Sequence, residues 1–400
     1  MKKALVILMA LSMVFAAFAD EPAVKNEIAE FTGSASVTWG VDLDAGKTGF
    51  KNEESASLKF TLIGGGDKQT TGSGVWGDLK IKIGDSDATG SIATTGDVVI
   101  AKPELVHAKI HLNDMIAIGI RAGTNKYGAY SPVSAVKSSH FGLGAVGGTV
   151  TQGITVEVAL PDLLDLNIDF RSDDSAQYTN NYGLGTSLAV KAVENLNLAV
   201  GFGIDFDPSV WGLSASADYK IGINDTMYLK PQVGFTMDDG AGTKYITTAL
   251  LFGWGSEDQE VGTKFVEQKQ ADGFSVATKI DLDNTDAIPL CIGVWDSTFV
   301  ENLKAGVQFH VKSLSNFEVN TLAIDFAYDL GGIKPAFGFA MDKDGDLSYS
   351  DELRIAFSVD FTGFVDNTTF TLAYNSGDLK GNNATIGKLG KIDLTAKISF

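Results

Sequence analysis

Residues 392–400 read Ile-Asp-Leu-Thr-Ala-Lys-Ile-Ser-Phe, with apolar or small residues at the even positions and polar residues at the odd ones. Neighbouring side chains of a β-strand point to opposite faces of the sheet. Strict alternation up to Phe400 therefore predicts a strand with one apolar and one polar face. The same alternation recurs at 31–43, 164–170, 196–206, 322–330 and 353–361.

The whole chain is predicted to be all-β, because helical spacing is hard to find in it. A parallel α/β sheet needs about 10–15 helical residues between strands. Turn sequences such as Asp344-Gly345 stand between the strands of this chain instead, and they favour antiparallel neighbours. We expect a transmembrane antiparallel β-barrel of about 16–20 strands of roughly 9–11 residues, the length of a tilted membrane-crossing strand. So many strands favour closure, which removes the sheet edges.

Residues 1–19 have the pattern of a cleaved secretory signal peptide. Two lysines precede an apolar run, and Ala-Phe-Ala at 17–19 supplies the small residues of a cleavage site. Residues 20–400 are then predicted to form an outer-membrane β-barrel. A subdivision near residue 150 is left open, because the alternation before it is less regular.

The charge and the cysteine content exclude several classes of protein. The chain has 31 Lys and Arg against 50 Asp and Glu, a net charge of −19. Cleavage after residue 19 removes two lysines and leaves 29 against 50, a net charge of −21. Such an acidic chain is a poor partner for nucleic acid, whose phosphates need basic groups. Cys291 is the one cysteine, which excludes an intramolecular disulfide, and we interpret it as a small strand residue.

The polar faces distinguish a membrane barrel from a soluble β-sandwich, which alternates in the same way. A sandwich has a charged outer face, whereas here the polar face is often small, as at Ser34, Ser36, Gly201 and Ala323. Aromatic residues stand near many strand ends, as expected for the two girdles of a membrane barrel. The sequence therefore favours a multi-pass barrel in the outer membrane of a diderm bacterium over a soluble secreted β-protein.

The last strand is also similar to the terminal strand of outer-membrane barrels, in which a final phenylalanine belongs to the assembly address. This similarity implies that outer-membrane lipid and the barrel-assembly machinery are partners of the chain. The residues predicted to form the assembly signal are Ile392, Leu394, Ala396, Ile398 and Phe400.

Two segments, residues 38–44 and 47–52, resemble the N-terminal region of the treponeme major outer sheath protein family. They read Thr-Trp-Gly-Val-Asp-Leu-Asp and Lys-Thr-Gly-Phe-Lys-Asn, and a looser resemblance continues along the chain. The resemblance implies an abundant outer-membrane β-barrel, a homotrimer that conducts ions, and surface loops that bind host matrix proteins. Of the functional residues, only those of the terminal strand transfer.

The sharpest ligand-like cluster is Asp-Lys-Asp-Gly-Asp at residues 342–346. Carboxylates at positions 1, 3 and 5 begin a calcium-binding loop, but Leu347 and Leu353 stand where its glycine and glutamate belong. An acidic turn is the default interpretation and calcium the alternative. The residues that would bind calcium are Asp342, Asp344 and Asp346. No other metal or cofactor is predicted.

No catalytic motif is found, so the chain is not expected to be an enzyme. A nucleophile elbow is absent from the sequence. The histidines show no partner set, and two of them are four residues apart on a strand, where this spacing does not build a zinc pair. They are His107, His111, His140 and His310.

Two functions remain open for the barrel. The first is a porin, a water-filled channel through which small hydrophilic solutes and ions diffuse. Inward acidic residues motivate a cation preference, namely Asp165, Asp169, Asp205, Asp325, Asp329 and Asp360. Inward basic residues oppose it, namely Lys80, Lys82, Lys109, Arg354 and Lys397. The alternative is a surface adhesin or structural outer-sheath protein that uses the barrel only as an anchor, with the charged stretch 256–272 as a binding loop.

Overall fold

The computed structural model shows an all-β chain. It describes residues 29–64, 75–83, 104–126, 149–172, 182–206, 209–240, 242–255, 265–266, 272–283, 288–311, 313–314, 319–342, 352–382 and 387–399. The first strands of this described part are β1 (Ala29–Asp42), β2 (Lys47–Gly64), β3 (Val75–Ile83), β4 (Glu104–His111), β5 (Ile116–Lys126), β6 (Thr149–Leu160), β7 (Leu164–Ser172), β8 (Tyr182–Val190), β9 (Leu196–Phe206) and β10 (Ser209–Tyr219). The remaining strands are β11 (Ile221–Gly222), β12 (Tyr228–Asp238), β13 (Thr243–Gly253), β14 (Gly273–Asp281), β15 (Leu290–Asp296), β16 (Leu303–Val311), β17 (Val319–Tyr328), β18 (Ile333–Asp342), β19 (Leu353–Thr362), β20 (Thr368–Asn375) and β21 (Lys391–Ser399).

The strands form a ring of antiparallel neighbours. Each long strand pairs with the strands before and after it in sequence, and β10 pairs with β12 because β11 is only two residues long. The last strand returns to the first, with Ser34 opposite Ser399 and Asp42 opposite Lys391. The ring therefore has no free edge. Counting the long strands of the described residues gives 20, which confirms the predicted antiparallel β-barrel at the upper limit of its strand number.

Along the strands whose side chains the structure describes, large apolar residues face the outside of the ring and polar or small residues face the interior. In β17, Phe326 is 44% exposed whereas the neighbouring Asp325 is fully buried. Large apolar residues that are exposed on strands include Val37, Trp39, Ile154, Phe170, Val233, Leu250, Val307, Phe357, Leu372 and Leu394. Buried polar residues on the inward side include Thr155, Ser187, Ser214, Ser216, Gln232, Thr236, Thr247, Gln308, Thr321 and Ser358. Because water penalises so large an exposed apolar surface, the outer side matches the hydrocarbon of a bilayer.

The connections differ between the two rims of the ring. We call the rim at which β1 begins and β21 ends the near rim, and the opposite one the far rim. The near-rim connections are 65–74, 112–115, 161–163, 191–195, 220–227, 254–272, 297–302, 329–332 and 363–367. The far-rim connections are 43–46, 84–103, 127–148, 173–181, 207–208, 239–242, 282–289, 312–318, 343–352 and 376–390. Short turns thus predominate at the near rim, where 65–74 and 254–272 are the longer connections.

Short near-rim turns share one backbone device. Among the described residues, the non-glycine residues with positive φ are Asp162, Asn195, Asn302 and Asn367. All stand in near-rim turns at φ of 56–63°, the left-handed region that Asn and Asp tolerate best. The carbonyls of Asn195 and Asn302 each accept a hydrogen bond from the next near-rim connection, and the Asn367 carbonyl accepts one from Ser399 at the end of β21, all at 2.9 Å. These turns therefore link neighbouring parts of the rim.

No helix in the described part of the chain is long and apolar enough to cross a bilayer.

Candidate functional site

The inner wall of the ring is the candidate functional site, and many of its charges are neutralised within it. Lys230 Nζ lies 3.4 Å from Asp218 Oδ1, with both side chains almost fully buried. Asn197 Nδ2 donates to the same carboxylate oxygen at 2.8 Å. Elsewhere on the wall, Lys109 Nζ of β4 contacts Glu157 Oε2 of β6 at 2.7 Å, across the intervening strand β5. Opposite charges on nearby strands hold each other and present a polar but balanced surface to the interior.

Several of the acidic residues predicted to face inward do so. Asp169 accepts a hydrogen bond from Thr155 Oγ1 at 2.6 Å, and Asp360 accepts one from Thr371 Oγ1 at 2.6 Å. Asp325 is inward and fully buried. A hydroxyl group on a neighbouring strand thus donates a hydrogen bond to each of the first two carboxylates, as buried polar groups require.

Asp329 departs from the prediction, because it lies in the turn after β17 and not on the wall. It pairs with Lys334 at 2.9 Å and accepts a hydrogen bond from the Gly331 N–H at 2.9 Å. The hydrogen bond from Lys334, with help from Gly331, holds the pKa of Asp329 below its ordinary value. This carboxylate belongs to the near rim.

The seam between β1 and β21 closes the ring on the inside and at the far rim. On the inner wall, Thr38 Oγ1 and Thr395 Oγ1 are 2.8 Å apart and share a hydrogen bond. At the far rim, the Asp44 carboxylate accepts backbone N–H groups across the seam, from Lys388 at 2.8 Å, Leu389 at 2.9 Å and Gly390 at 2.7 Å. These N–H groups, Leu389 first, hold the pKa of Asp44 below its ordinary value.

Two residues of the connection 254–272 lie in the interior of the ring. Phe265 and Val266, which we call the inner segment, donate their backbone N–H groups to Asp325 Oδ2 at 2.9 and 2.7 Å. Val266 is 3% exposed and packs in one cluster with Trp295, Ala323 and Ala340 of the wall. The expectation of an outward binding loop over 256–272 is therefore wrong at these two residues, because a buried carboxylate and an apolar contact hold them inside.

The base of this connection is fixed at the near rim. The Trp254 N–H donates to the Asp272 carbonyl at 3.0 Å. The Asp272 carboxylate accepts the N–H and the hydroxyl of Ser297 at 2.7 and 2.9 Å. Trp254 also donates its ring N–H to Asp296 at 2.9 Å and stacks on Phe299 at 5.4 Å between centroids. Both ends of the connection are thus joined to each other and to the neighbouring turn.

Sequence reasoning missed one cluster of the wall. His310 Nε2 lies 3.3 Å from Cys291 Sγ and 2.7 Å from Gln308 Nε2, and all three side chains are buried. The sequence signal is weak, because counting outward symmetrically from the turn 297–302 pairs Cys291 with Gln308, whereas the observed register pairs Asp296 with Ala305 and Cys291 with His310. The contacts join three buried polar side chains of the wall.

The predicted calcium ligands and assembly residues remain predictions. Asp342 is the last residue of β18, whereas Asp344 and Asp346 lie outside the described residues. Within the described residues, no three His, Cys, Asp or Glu side chains form a group that could hold a metal. In the assembly strand, the residues at 392, 394, 396 and 398 share the outward side of β21 with Trp39 opposite Leu394. Phe400 lies outside the described residues.

The fold and the wall define a class. A ring of 20 antiparallel strands, apolar outside and polar inside, is the architecture of a β-barrel that crosses the bacterial outer membrane.

Curated relatives narrow this class. The chain is 44% identical over 135 residues to the major surface protein MspTL of Treponema lecithinolyticum, a match that covers 32% of this chain and 23% of that protein. It is 44% identical over 141 residues to the major outer membrane protein MspA of Treponema maltophilum, which covers 32% of this chain and 24% of that protein. The match thus spans about a quarter of these relatives' length. The resemblance to the treponeme family is confirmed. No family model matches the chain.

Solved porin structures align with most of the chain at low similarity. A mutant of the Rh. blastica porin has 10% identity and a TM-score of 0.41, covering 93% of this chain and 100% of that chain. A triple mutant of the Rhodopseudomonas blastica porin has 11% identity and a TM-score of 0.39 with the same coverage. The fold assignment rests on the strand pairings and the two faces described above.

Proposed function

We propose that the chain is a porin, a barrel whose water-filled interior lets small hydrophilic solutes and ions diffuse across the outer membrane. The observation that carries the proposal is the ring of 20 paired strands whose described inward side chains are mostly polar or small. Barrels of about 16–18 strands already enclose an aqueous channel. The neutralised charges of the wall, such as Asp218 with Lys230, suit the passage of varied solutes, because they leave no single strong binding site.

The orientation of the barrel follows from its rims. Outer-membrane barrels have short periplasmic turns and longer extracellular loops. The near rim carries most of the short turns, and the far rim carries the long connections 84–103 and 127–148. We therefore place the near rim in the periplasm and the far rim at the cell surface.

Planar-bilayer recording of the purified, detergent-solubilised protein tests the proposal. We expect stepwise increases in current, each from insertion of one channel or one oligomer. Protein that is folded, as judged by heat-modifiable gel mobility, but that adds no conductance would refute the porin function. Reversal potentials in a salt gradient then test whether the channel prefers cations. A reversal potential of the anion-selective sign would refute the cation preference.

A surface-protein role is the second candidate, and the name of one relative, a major surface protein, favours it. We place binding of host matrix proteins at the far rim, on the connections 84–103 and 127–148, because this is the rim that we place at the cell surface. Replacing 127–148 with a short Gly-Ser linker should abolish matrix binding and leave conductance unchanged. Binding that persists after replacement of both connections would contradict this role.

Assembly is proposed to involve a homotrimer and the barrel-assembly machinery. Chemical cross-linking of native outer membranes should give a discrete band at three times the monomer mass. Cross-linked membranes in which the protein migrates only at the monomer mass would refute the trimer.

A further inference from the structure

The inner wall contains a shallow site into which the inner segment fits, and we call this site the seat. In the strand register, Asp325 stands between Gly306 on β16 and Gly338 on β18. Neither neighbour has a side chain, so the wall is shallow on both sides of the buried carboxylate. Beside this row lie Ala323 and Ala340, also paired with each other and both in contact with the inner segment's cluster. Small residues thus surround the buried carboxylate of Asp325, which is the hydrogen-bond acceptor of this site.

The seat offers a carboxylate oxygen that accepts hydrogen bonds from backbone N–H groups. One carboxylate oxygen of Asp325 accepts two successive N–H groups, from Phe265 and Val266. A buried carboxylate requires hydrogen-bond donors in place of water, and charge-assisted hydrogen bonds of this length are strong. Recognition of backbone N–H groups fixes where the segment lies, whatever its side chains are. The Val266 side chain then covers Trp295, which is 2% exposed.

The segment lies well inside the barrel. β17 runs toward the near rim and ends at Tyr328, so Asp325 is three residues from that rim. At about 3.3 Å per residue this is about 10 Å along the strand. The connection is rooted at the rim by the Trp254–Asp272 hydrogen bond, and six residues from Val266 to Asp272 suffice to cover that distance. Phe265 and Val266 therefore lie inside the ring while Trp254 and Asp272 lie at its near rim.

The segment also brings charge beside the passage. The guanidinium of Arg354, an inward residue of β19, lies over the Phe265 ring at 5.7 Å from its centroid. The Arg354 Nη1 is 3.9 Å from the buried Glu352 carboxylate. An aromatic ring and a fixed cation thus stand together at the same depth.

We propose that the inner segment is a fixed constriction of the channel, and that Asp325 is the positioning residue that holds it against the wall. This inference rests on the proposed porin function and deepens it by placing a narrow zone inside the barrel. The zone extends from Asp325, three residues from the near-rim end of β17, to Arg354, the second residue of β19 counted from the far rim. Solutes would pass the Phe265 ring and Arg354 there, so these two side chains would set size and charge selection.

Single-channel recording of Asp325→Ala is the first test. Without the acceptor the inner segment leaves its seat, and we expect unit conductance to shift upward relative to the parent protein. Asp325→Asn keeps a carbonyl oxygen as hydrogen-bond acceptor, so its unit conductance should remain close to that of the parent protein. This variant distinguishes the effect of docking the inner segment from the effect of removing a negative charge. Val266→Asp leaves the wall unchanged and places a carboxylate against Trp295 and near Asp325, so it should also raise conductance.

Asp378 supplies a matched control. It is as buried as Asp325, and one of its carboxylate oxygens accepts the N–H groups of Leu353 and Lys380, each at 3.0 Å. It holds the far-rim connection 376–390 and not the inner segment. Asp378→Ala should therefore leave unit conductance unchanged, and a rise equal to that of Asp325→Ala would overturn the assignment of the constriction.

Quenching of Trp295 fluorescence by acrylamide gives a readout that does not depend on conduction. In a variant that retains Trp295 as its only tryptophan, Asp325→Ala and Val266→Asp should increase quenching, because Val266 no longer covers the ring. Unchanged conductance and unchanged quenching in both folded variants would overturn the constriction. A parent protein that conducts nothing but shows this quenching pattern would refute the porin function and leave the docked segment supported.

Discussion

Replacement of an outward-facing residue in mid-strand tests whether the outer side of the ring lies in lipid. Val233 is the sixth of the eleven residues of β12 and is 50% exposed. In a water-soluble protein, Val233→Arg at so exposed a site would change the free energy of unfolding by no more than about 0.5 kcal/mol. At the midplane of a bilayer, an arginine on the lipid side of a barrel costs about 2–4 kcal/mol. The two environments therefore predict different magnitudes for the same substitution.

The measurement is urea-induced unfolding of the protein refolded into lipid vesicles, followed by tryptophan fluorescence. Ile223→Arg is the matched control, because Ile223 is 56% exposed but lies in the near-rim connection 220–227. Near the interface the cost falls to about 0–1 kcal/mol. A loss below about 0.5 kcal/mol at Val233, or equal losses at both positions, would refute the placement of this side in hydrocarbon.

Three further predictions follow from single residues. Asn302→Ala should lower the free energy of unfolding by about 1 kcal/mol, since alanine is penalised at φ of 63°, whereas Asn302→Gly should cost less in the same urea titration. The Asp44 pKa lies below its ordinary value of 3.8, so the stabilisation from its hydrogen bonds across the seam is fully present above that pH and is lost as pH falls through the lowered pKa. The difference in free energy of unfolding between the parent protein and Asp44→Ala should therefore stay constant from about pH 8 to pH 5. A smaller difference already at pH 5 would contradict this prediction. Removal of Phe400 should strongly lower the amount of protein in outer-membrane fractions, and normal levels would contradict the assembly signal.

Alternation predicted the two sides of the wall because the rule is local. Leu322, Ile324 and Phe326 alternate with Ala323 and Asp325, and lipid and interior impose this period on every strand. The partner across a turn is less certain, because counting symmetrically around 297–302 would pair Cys291 with Gln308, whereas the register pairs it with His310. Features that depend only on neighbours along one strand could therefore be found in the sequence.

The inner segment could not be found in this way. Residues 256–272 are charged and lack a strand period, which favoured a solvent-exposed loop. The docking of Phe265 and Val266 depends on Asp325, about 60 residues away in sequence. It also depends on Gly306 and Gly338, which lie beside Asp325 only once three strands are paired in register. The position of Asp329 was missed for a smaller reason, because alternation alone does not show where β17 ends.

Closure of the ring by the first and last strands is the central claim, and a disulfide across the seam tests it most directly. Thr38 and Thr395 face each other in the register, with their hydroxyl oxygens 2.8 Å apart, and facing Cβ atoms on paired strands come close to the separation that a disulfide needs. In a protein carrying Thr38→Cys and Thr395→Cys, mild oxidation should give a monomer with altered mobility on non-reducing gels. Thr38→Cys paired with Thr371→Cys, which lies one strand further away, should not. A folded double variant that stays uncross-linked would contradict the closed barrel.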